Sequence, residues 1–198
     1  MKSLTRRFER SKPMQARFLP GFTLLELMIT VAIAAILLAI GVPSFKYVTS
    51  SNRASSEING LLGDLQFARG EAIKEGQTVT ICASTNGTSC SVSTSWNTGW
   101  IVFSDAPPLG TIEGNDAILK IQAPFSGTDV LTADHGITSV TFSREGFTQG
   151  LGNNAVTITL HTTPVNAPYT RCLSMTIIGA LSTQINGNPT AESPNLCN

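Results

Sequence analysis

The chain has 198 residues, with 13 basic and 13 acidic residues, and its hydrophobic content of 41% excludes disorder throughout. A net charge of zero excludes an overall electrostatic footprint for nucleic acid. Only 13% of the residues are charged, against about 25% in an average soluble domain, which is typical of a secreted or periplasmic protein.

The first two segments differ sharply in charge. Residues 1–21 carry six basic residues and one acid, whereas residues 22–42 form a long apolar segment with a single charge, Glu26. As a helix, the apolar segment would be roughly 31 Å long, about the thickness of a bilayer core. It is longer than the apolar core of a cleaved signal peptide, and no Ala-x-Ala site follows it. Residues 22–42 therefore predict a membrane-spanning helix whose basic end lies in the cytoplasm.

The junction between these segments carries a motif. Residues 20–26 read Pro-Gly-Phe-Thr-Leu-Leu-Glu, which closely resembles the leader site of type IV pilins and type II secretion pseudopilins. In that family a prepilin peptidase cuts after the Gly and methylates the new N-terminal Phe. The resemblance implies that residues 1–21 form a basic leader, removed by cleavage between Gly21 and Phe22. The alternative is an uncleaved signal anchor.

Glu26 places a negative charge in an otherwise apolar helix. A carboxylate costs roughly 2.5–3.5 kcal/mol at the centre of a membrane helix, less near an end, and is usually paired. The expected partner is the free ammonium group of Phe22, on the same subunit or on a neighbour. Such a pair would select the helix register during assembly into a filament. The alternative is that the Glu26 side chain reaches the membrane surface.

The helix is predicted to continue past a weak point at Gly41 and Pro43, where one backbone hydrogen bond is lost. The alternative is that the helix ends there. Residues 43–76 favour continuation because they are amphipathic, and Gly76 is a plausible end. The predicted apolar face comprises Tyr47, Ala54, Ile58, Leu61, Leu62, Leu65, Ala68, Ala72 and Ile73. The predicted solvated face comprises Arg53, Glu57, Asp64, Arg69, Glu71 and Lys74.

From residue 77 onward the hydrophobic period changes from 3.6 to 2. This pattern predicts six to eight short, mainly antiparallel strands in residues 77–198, which would cover the amphipathic half of the helix in an α+β fold. The predicted strands lie at residues 78–81, 100–103, 119–121, 140–142, 156–160 and 172–177.

Four cysteines, Cys82, Cys90, Cys172 and Cys197, indicate an oxidising compartment, and none of them forms a Cys-x-x-Cys pair. Three pairings are possible. We favour Cys82–Cys90, which would close a hairpin, and Cys172–Cys197, which would pin the C-terminal tail. The two histidines fit no zinc spacing, so no metal and no cofactor is expected.

Three further stretches resemble the FimT/FimU minor pilins and the GspH pseudopilins: residues 65–73 with 79–82, residues 96–105 and residues 137–146. The resemblance implies a pilin fold and a minor type IV pilin that helps to initiate or cap pilus assembly. Its expected partners are other pilins, contacted through the N-terminal helix. It would cross the inner membrane once, with a periplasmic domain, before entering the pilus. The alternative is a type II secretion pseudopilin of the H type, which shares the fold and the processing.

Two other functions are considered and not expected. Some FimT proteins bind DNA through a Gly-Arg-x-Arg motif, but residues 178–182 read Ile-Gly-Ala-Leu-Ser, and Arg171 is the only basic residue after Arg144. Phosphate contacts need clustered basic residues, so direct DNA binding is not expected. The sequence also lacks the motifs of a serine hydrolase, a phosphate loop or a zinc protease, so an enzyme is not expected. Trp96 and Trp100 are interpreted as core aromatics rather than as an exposed binding platform.

Overall fold

A computed structural model describes residues 21–114, 116–151, 155–165, 167–186 and 197. The predicted leader lies outside these residues except for Gly21, and so does most of the tail that Cys197 was expected to pin. The chain divides into two compact units, Met1–Ser44 and Phe45–Asn198, and each is described by itself.

A single helix, α1 (Leu24–Glu75), begins in the first unit and ends in the second. The backbone N–H of Glu26 donates to Thr23 Oγ1 at 3.2 Å, so Thr23 satisfies one of the free N–H groups at the helix start. Gly76 follows the last turn with φ +66°, a left-handed conformation that glycine adopts at low cost and that ends helices.

The weak point predicted at Gly41 and Pro43 does not interrupt the helix, since both residues lie within α1. The alternative of a helix that stops there is therefore wrong. Proline removes one hydrogen bond, but the turns on both sides retain theirs. Continuation depends on the second half of the helix, whose apolar face is buried in the second unit.

In the first unit, α1 presents apolar side chains on all sides. The large apolar side chains from Phe22 to Val42 are exposed by 49–80%. This helix is long and apolar enough to cross a membrane, judged by length and composition.

The second unit contains two antiparallel sheets. The five-stranded sheet has the order β3-β2-β1-β5-β6, and the four-stranded sheet has the order β4-β7-β8-β9. The strands are β1 (Val79–Ala83), β2 (Trp100–Ser104), β3 (Ile118–Gln122), β4 (Val130–Ala133), β5 (Ser139–Phe142), β6 (Thr148–Gln149), β7 (Val156–His161), β8 (Arg171–Met175) and β9 (Leu181–Ile185).

The described residues thus contain nine strands, more than the six to eight predicted, because β4, β6 and β9 were missed. β6 has only two residues and β4 only four, too short for a period of two to be recognised. β9 is a largely polar edge strand, hydrogen-bonded only to β8. β8 also ends at Met175, two residues before the predicted strand end, because a turn begins at Thr176.

The main core lies where the second half of α1 packs against both sheets. Fully or almost fully buried side chains come from α1, from β1, β2 and β5 of the first sheet, and from β4, β7 and β8 of the second. From α1 these are Ala54, Ile58, Leu61, Leu65, Ala68 and Ala72. Two residues of the predicted apolar face, Tyr47 and Ile73, are instead about half exposed, at 51% and 52%.

The five-stranded sheet has a second, smaller core. Alternate residues of a strand point to opposite faces, so Cys82, Ile101 and Phe103 lie on the face opposite the main core, where they are fully buried. The Cys82–Cys90 disulfide and Ile112 pack against them. This explains why β1 and β2 are buried at every position.

Candidate assembly site

The N-terminal end of α1 carries the residues with predicted roles in processing and assembly. Glu26 lies in the first turn of the helix, four residues after Phe22, and both side chains are exposed. None of the ion pairs found among the described residues involves Glu26. The apolar end of the helix therefore carries a carboxylate without a cationic partner in the part of the chain that the structure describes.

Gly21 has no packing role in this structure. A Cβ atom added at Gly21 would meet nothing within 4 Å, and the same holds at Gly41. The fold therefore does not explain why glycine stands at position 21. A requirement of a processing enzyme for a small residue would explain it, and this is what the leader motif predicts.

Asp64 was predicted to face solvent and is instead buried, 3% exposed. Its Oδ2 accepts a hydrogen bond from Trp100 Nε1 at 2.8 Å, and its Oδ1 accepts one from Lys120 Nζ. Lys120 also lies 5.8 Å from the centre of the Phe67 ring. These contacts join α1 to β2 and β3. Asp64 lies three residues after Leu61 and four residues before Ala68, a spacing that places all three on the same face of the helix. This spacing could have indicated that Asp64 is buried.

A second charged cluster joins α1 to the start of β4. Arg53 Nε and Nη2 donate to the two carboxylate oxygens of Asp129, each at 2.7 Å. The Asp129 side chain is fully buried, and Glu57 lies beside it. The pKa of Glu57 is raised to about 7, mainly because the carboxyl is partly buried. The negative charge of Asp129 also raises this pKa, and its effect is larger than the opposite effect of the Arg53 charge. Arg53 is exposed, as predicted, with 41% of its side chain accessible, whereas Glu57, also predicted to face solvent, is half-buried.

Near its C-terminal end, α1 contacts the turns of both sheets through Arg69. Arg69 Nε donates to Gly146 O at 2.9 Å, after β5, and Nη2 donates to Ile178 O at 3.4 Å, after β8. A Cβ atom at Gly179 would lie 2.5 Å from Gly146 O, so the two turns approach too closely for a side chain there. Arg69 was also predicted to face solvent, and the structure assigns it this structural role instead.

Both tryptophans are core residues, as the sequence interpretation held. Trp96 is 0% and Trp100 1% exposed, and Trp96 Nε1 donates to Ile137 O at 3.3 Å. Asp105, at the end of the same motif, is buried and accepts hydrogen bonds from the Thr80 hydroxyl and from Gly110 N–H. Burial raises the pKa of Asp105. The 96–105 motif therefore has a structural explanation.

Arg171 is buried, 7% exposed. Its guanidinium donates to Ser51 Oγ and to Pro168 O, each at 2.9 Å, and to Ser55 Oγ at 3.3 Å. It thus connects β8 to α1 and is turned away from solvent, where a phosphate group would have to bind.

The structure contains the disulfides Cys82–Cys90 and Cys172–Cys197, which is the pairing that the sequence analysis favoured among three. Among the described residues, no group of three or more His, Cys, Asp or Glu side chains is placed to hold a metal ion.

Comparison with known families identifies the relatives of this chain. The model of the family described as type II transport protein GspH matches residues 57–179, which is more than half of the chain. The chain belongs to the GspH family. The model described as the prokaryotic N-terminal methylation motif matches residues 21–42. Comparison with curated proteins gives no match for this GspH-family chain.

Two crystal structures of the type IV minor pilin FimU from Pseudomonas aeruginosa strain PAO1 resemble the GspH-family chain. In one crystal form the match has a TM-score of 0.53 and 20% identity and covers 78% of this chain and 99% of the FimU chain. In the other the TM-score is 0.50 and the identity 20%, with 67% of this chain and 91% of the FimU chain covered. At this identity the likeness shows the fold, and the predicted α+β pilin fold is confirmed.

Proposed function

We propose that this GspH-family protein is a minor type IV pilin, a structural and non-catalytic subunit that takes part in initiating or capping pilus assembly. One observation carries the proposal: an apolar, exposed helix half bears Glu26 four residues after Phe22, within a methylation motif and on a pilin fold. A helix that is apolar on all sides must be covered by lipid or by other helices. In a filament, the neighbouring subunits would provide that cover.

The proposed processing follows from the leader motif. Prepilin peptidase would cut between Gly21 and Phe22 and methylate the new N-terminus. The resulting ammonium group of Phe22 would then neutralise a Glu26 carboxylate as helices pack without water, where an unpaired charge is costly. The partners in this arrangement are other minor pilins and the major pilin.

The proposed location follows from the charge pattern. The basic leader would remain in the cytoplasm, residues 22–42 would cross the inner membrane, and residues 77–198 would lie in the periplasm. The periplasm is oxidising, which suits the two disulfides. Direct DNA binding is not part of the proposed role, because Arg171, the only basic residue after Arg144, is buried.

Replacement of Glu26 by Leu tests the proposal. We expect the Glu26→Leu protein to insert, to be cleaved and to fold, yet to fail to restore pili or twitching motility to a deletion strain. The physical reason is that the carboxylate is needed only when helices assemble. The measurement is pilus number at normal protein level, with Glu113→Leu, which removes a carboxylate from an exposed loop, as the matched control. Full piliation by a processed, stable Glu26→Leu protein would contradict the mechanism.

A second candidate is a type II secretion pseudopilin of the H type, and the description of the matching family as type II transport protein favours it. The same N-terminal chemistry would then build a short pseudopilus. Deletion of the gene separates the two: loss of pili with normal secretion supports the minor pilin, and loss of secretion with normal pili supports the pseudopilin.

A further inference from the structure

Two tyrosines from distant parts of the chain meet at the surface of the second unit. Tyr47 lies near the start of that unit on α1, and Tyr169 ends a short 3₁₀ helix, Ala167–Tyr169. Their ring centroids are 5.0 Å apart, with an interplanar angle of 63°. Tyr47 stays about half exposed despite this contact, and Tyr169 is only partly buried. The pair therefore presents two aromatic side chains to the surroundings of the protein.

Buried Arg171 fixes the position of this pair. Its guanidinium donates to Ser51 Oγ of α1 and to Pro168 O, next to Tyr169, each at 2.9 Å. A charged group with little access to water keeps such hydrogen bonds, because breaking them would leave it without solvation. The loop that carries Tyr169 is thereby held against the part of α1 that carries Tyr47.

The two segments that meet here have a composition suited to a lipid headgroup layer. Residues 45–53 and 162–170 contain no Asp or Glu. Phe45 and Val165 add apolar side chains that are 72% and 73% exposed. Lys46 is exposed and takes part in none of the ion pairs found among the described residues. Tyrosine rings favour the boundary between lipid chains and water, and a lysine can reach lipid phosphates from there.

Distance along the chain limits how far this surface can lie from the membrane. The apolar segment ends at Val42, and α1 continues through Phe45 and Tyr47 without a break. At about 1.5 Å per residue, these two residues lie at most about 4.5 Å and about 7.5 Å beyond the segment. The headgroup layer on each side of a bilayer is about 5–7 Å thick. When residues 22–42 span the hydrocarbon core, Tyr47 and the adjoining Tyr169 therefore lie at the headgroup layer.

We propose that Tyr47 and Tyr169, together with Phe45 and Val165, form a contact surface for the phospholipid headgroup layer. This contact holds the second unit at the membrane before the subunit enters a filament. The proposal rests on the proposed function in one respect, the membrane-spanning position of residues 22–42. Lipid is the occupant, rather than another protein chain, because the reach of the chain brings the surface to the bilayer in every subunit that still spans it.

The test uses the full chain in nanodiscs whose lipids carry a nitroxide on the headgroup. Paramagnetic relaxation by a nitroxide falls steeply with distance, so NMR of the backbone amides shows which residues approach the headgroups. We expect strong relaxation of the amides of Val165 and Tyr169 and none at Phe147. Phe147 is a matched control because it is about half exposed and follows the carbonyl that Arg69 binds, about 33 Å along α1 from Tyr47.

Substitutions test the aromatic side chain itself. Tyr169→Ala should lower the relaxation at Val165 about threefold, because the loop loses its interfacial ring. Tyr169→Trp should retain the relaxation, since tryptophan favours the same boundary. Phe147→Ala should leave the relaxation at the wild-type value. Wild-type chemical shifts in β7 and β8 show that each variant is folded.

A second lipid, with the nitroxide near the end of its acyl chain, separates this proposal from the proposed location. It should relax the amide of Ile33, near the middle of the apolar segment. If Ile33 is relaxed by this lipid but Val165 and Tyr169 are not relaxed by the headgroup label, the contact surface is overturned. Unchanged relaxation at Val165 in a folded Tyr169→Ala protein would also overturn it. No relaxation at Ile33 would overturn the membrane span itself, and the role in pilus assembly is tested independently with Glu26→Leu.

Discussion

Asp64 shows how one carboxylate can hold a helix to a sheet. It accepts hydrogen bonds from Trp100 and Lys120 and is almost completely buried. Trp100 is itself buried, so its indole N–H has no access to water if Asp64 is removed. A buried donor left without a partner costs more than the hydrogen bond contributed.

Replacement of Asp64 by Ala should therefore lower the free energy of unfolding by about 2–3 kcal/mol. Asp64→Asn retains an acceptor for Trp100 and should cost less. Urea unfolding of the full chain in detergent, followed by tryptophan fluorescence, measures both changes. Equal stability of Asp64→Ala and wild type would show that the contacts of Asp64 contribute nothing net.

Glu57 makes stability depend on pH in a defined direction. Its pKa is raised in the folded state to about 7 from the ordinary value of 4.5, so the folded state binds this proton more tightly than the unfolded state. The associated stability is fully present below pH 4.5 and is lost as the pH rises through 7.

The Glu57→Gln variant removes this titration. Its free energy of unfolding should equal that of the wild type near pH 4.5 and exceed it at pH 8 by an amount on the order of 1 kcal/mol, since solvent screens a partly exposed carboxyl. Thermal unfolding at a series of pH values measures the difference. A difference that is constant from pH 4.5 to pH 8 would contradict the raised pKa.

At the scale of elements, α1 has two halves with different surroundings. The half in the first unit exposes its apolar side chains, whereas the half in the second unit buries one face and is held by Asp64, Arg69 and Arg171. Most helical stability in proteins comes from packing of one face. The first half therefore depends on lipid or on neighbouring helices for its cover.

Processing can be tested at Gly21, just before α1 begins. Gly21→Leu should leave a precursor about 2 kDa heavier than the mature protein, because a leader of 21 residues is retained. Gly41→Ala, another position where an added Cβ meets nothing, should be processed normally. Mass spectrometry of the membrane fraction measures both, and the wild-type N-terminus should be a methylated Phe22. A mature N-terminus beyond residue 42 would exclude this processing.

At the scale of the whole molecule, the two disulfides close loops of different length. Cys82 and Cys90 are 8 residues apart, and Cys172 and Cys197 are 25 apart. In the loop-entropy model these separations correspond to about 2.5 and about 3.5 kcal/mol. The shorter link also covers the small core of Ile101 and Phe103, so its loss affects packing as well as chain entropy.

The disulfides predict a simple result for the purified protein. Its intact mass should rise by about 4 Da on reduction, since each disulfide takes up two hydrogens. Peptide mapping without reduction should link Cys82 to Cys90 and Cys172 to Cys197. The double variant Cys172→Ala/Cys197→Ala should lose about 3 kcal/mol of stability. A peptide that joins Cys82 to Cys172 would contradict the structure.

The sequence by itself determined the features that depend on local pattern. These are the apolar helix half, its continuation past Pro43, the change to strands after Gly76, the burial of Trp96 and Trp100 and the resemblance to pilins. Each follows from a period, a motif or a composition within a short stretch of chain.

Only the tertiary structure decided the roles of the charged residues on α1. A helical pattern places Arg53, Glu57, Asp64 and Arg69 on the polar face, but their partners lie on strands and turns 36 to 109 residues away along the chain. The tertiary structure also determined the division of the strands into two sheets and the presence of the short strands β4, β6 and β9. Packing between distant segments of the chain creates the low-dielectric surroundings that change the ionisation and the contacts of these groups. The hydrophobic pattern of a short stretch does not show which distant segments pack together.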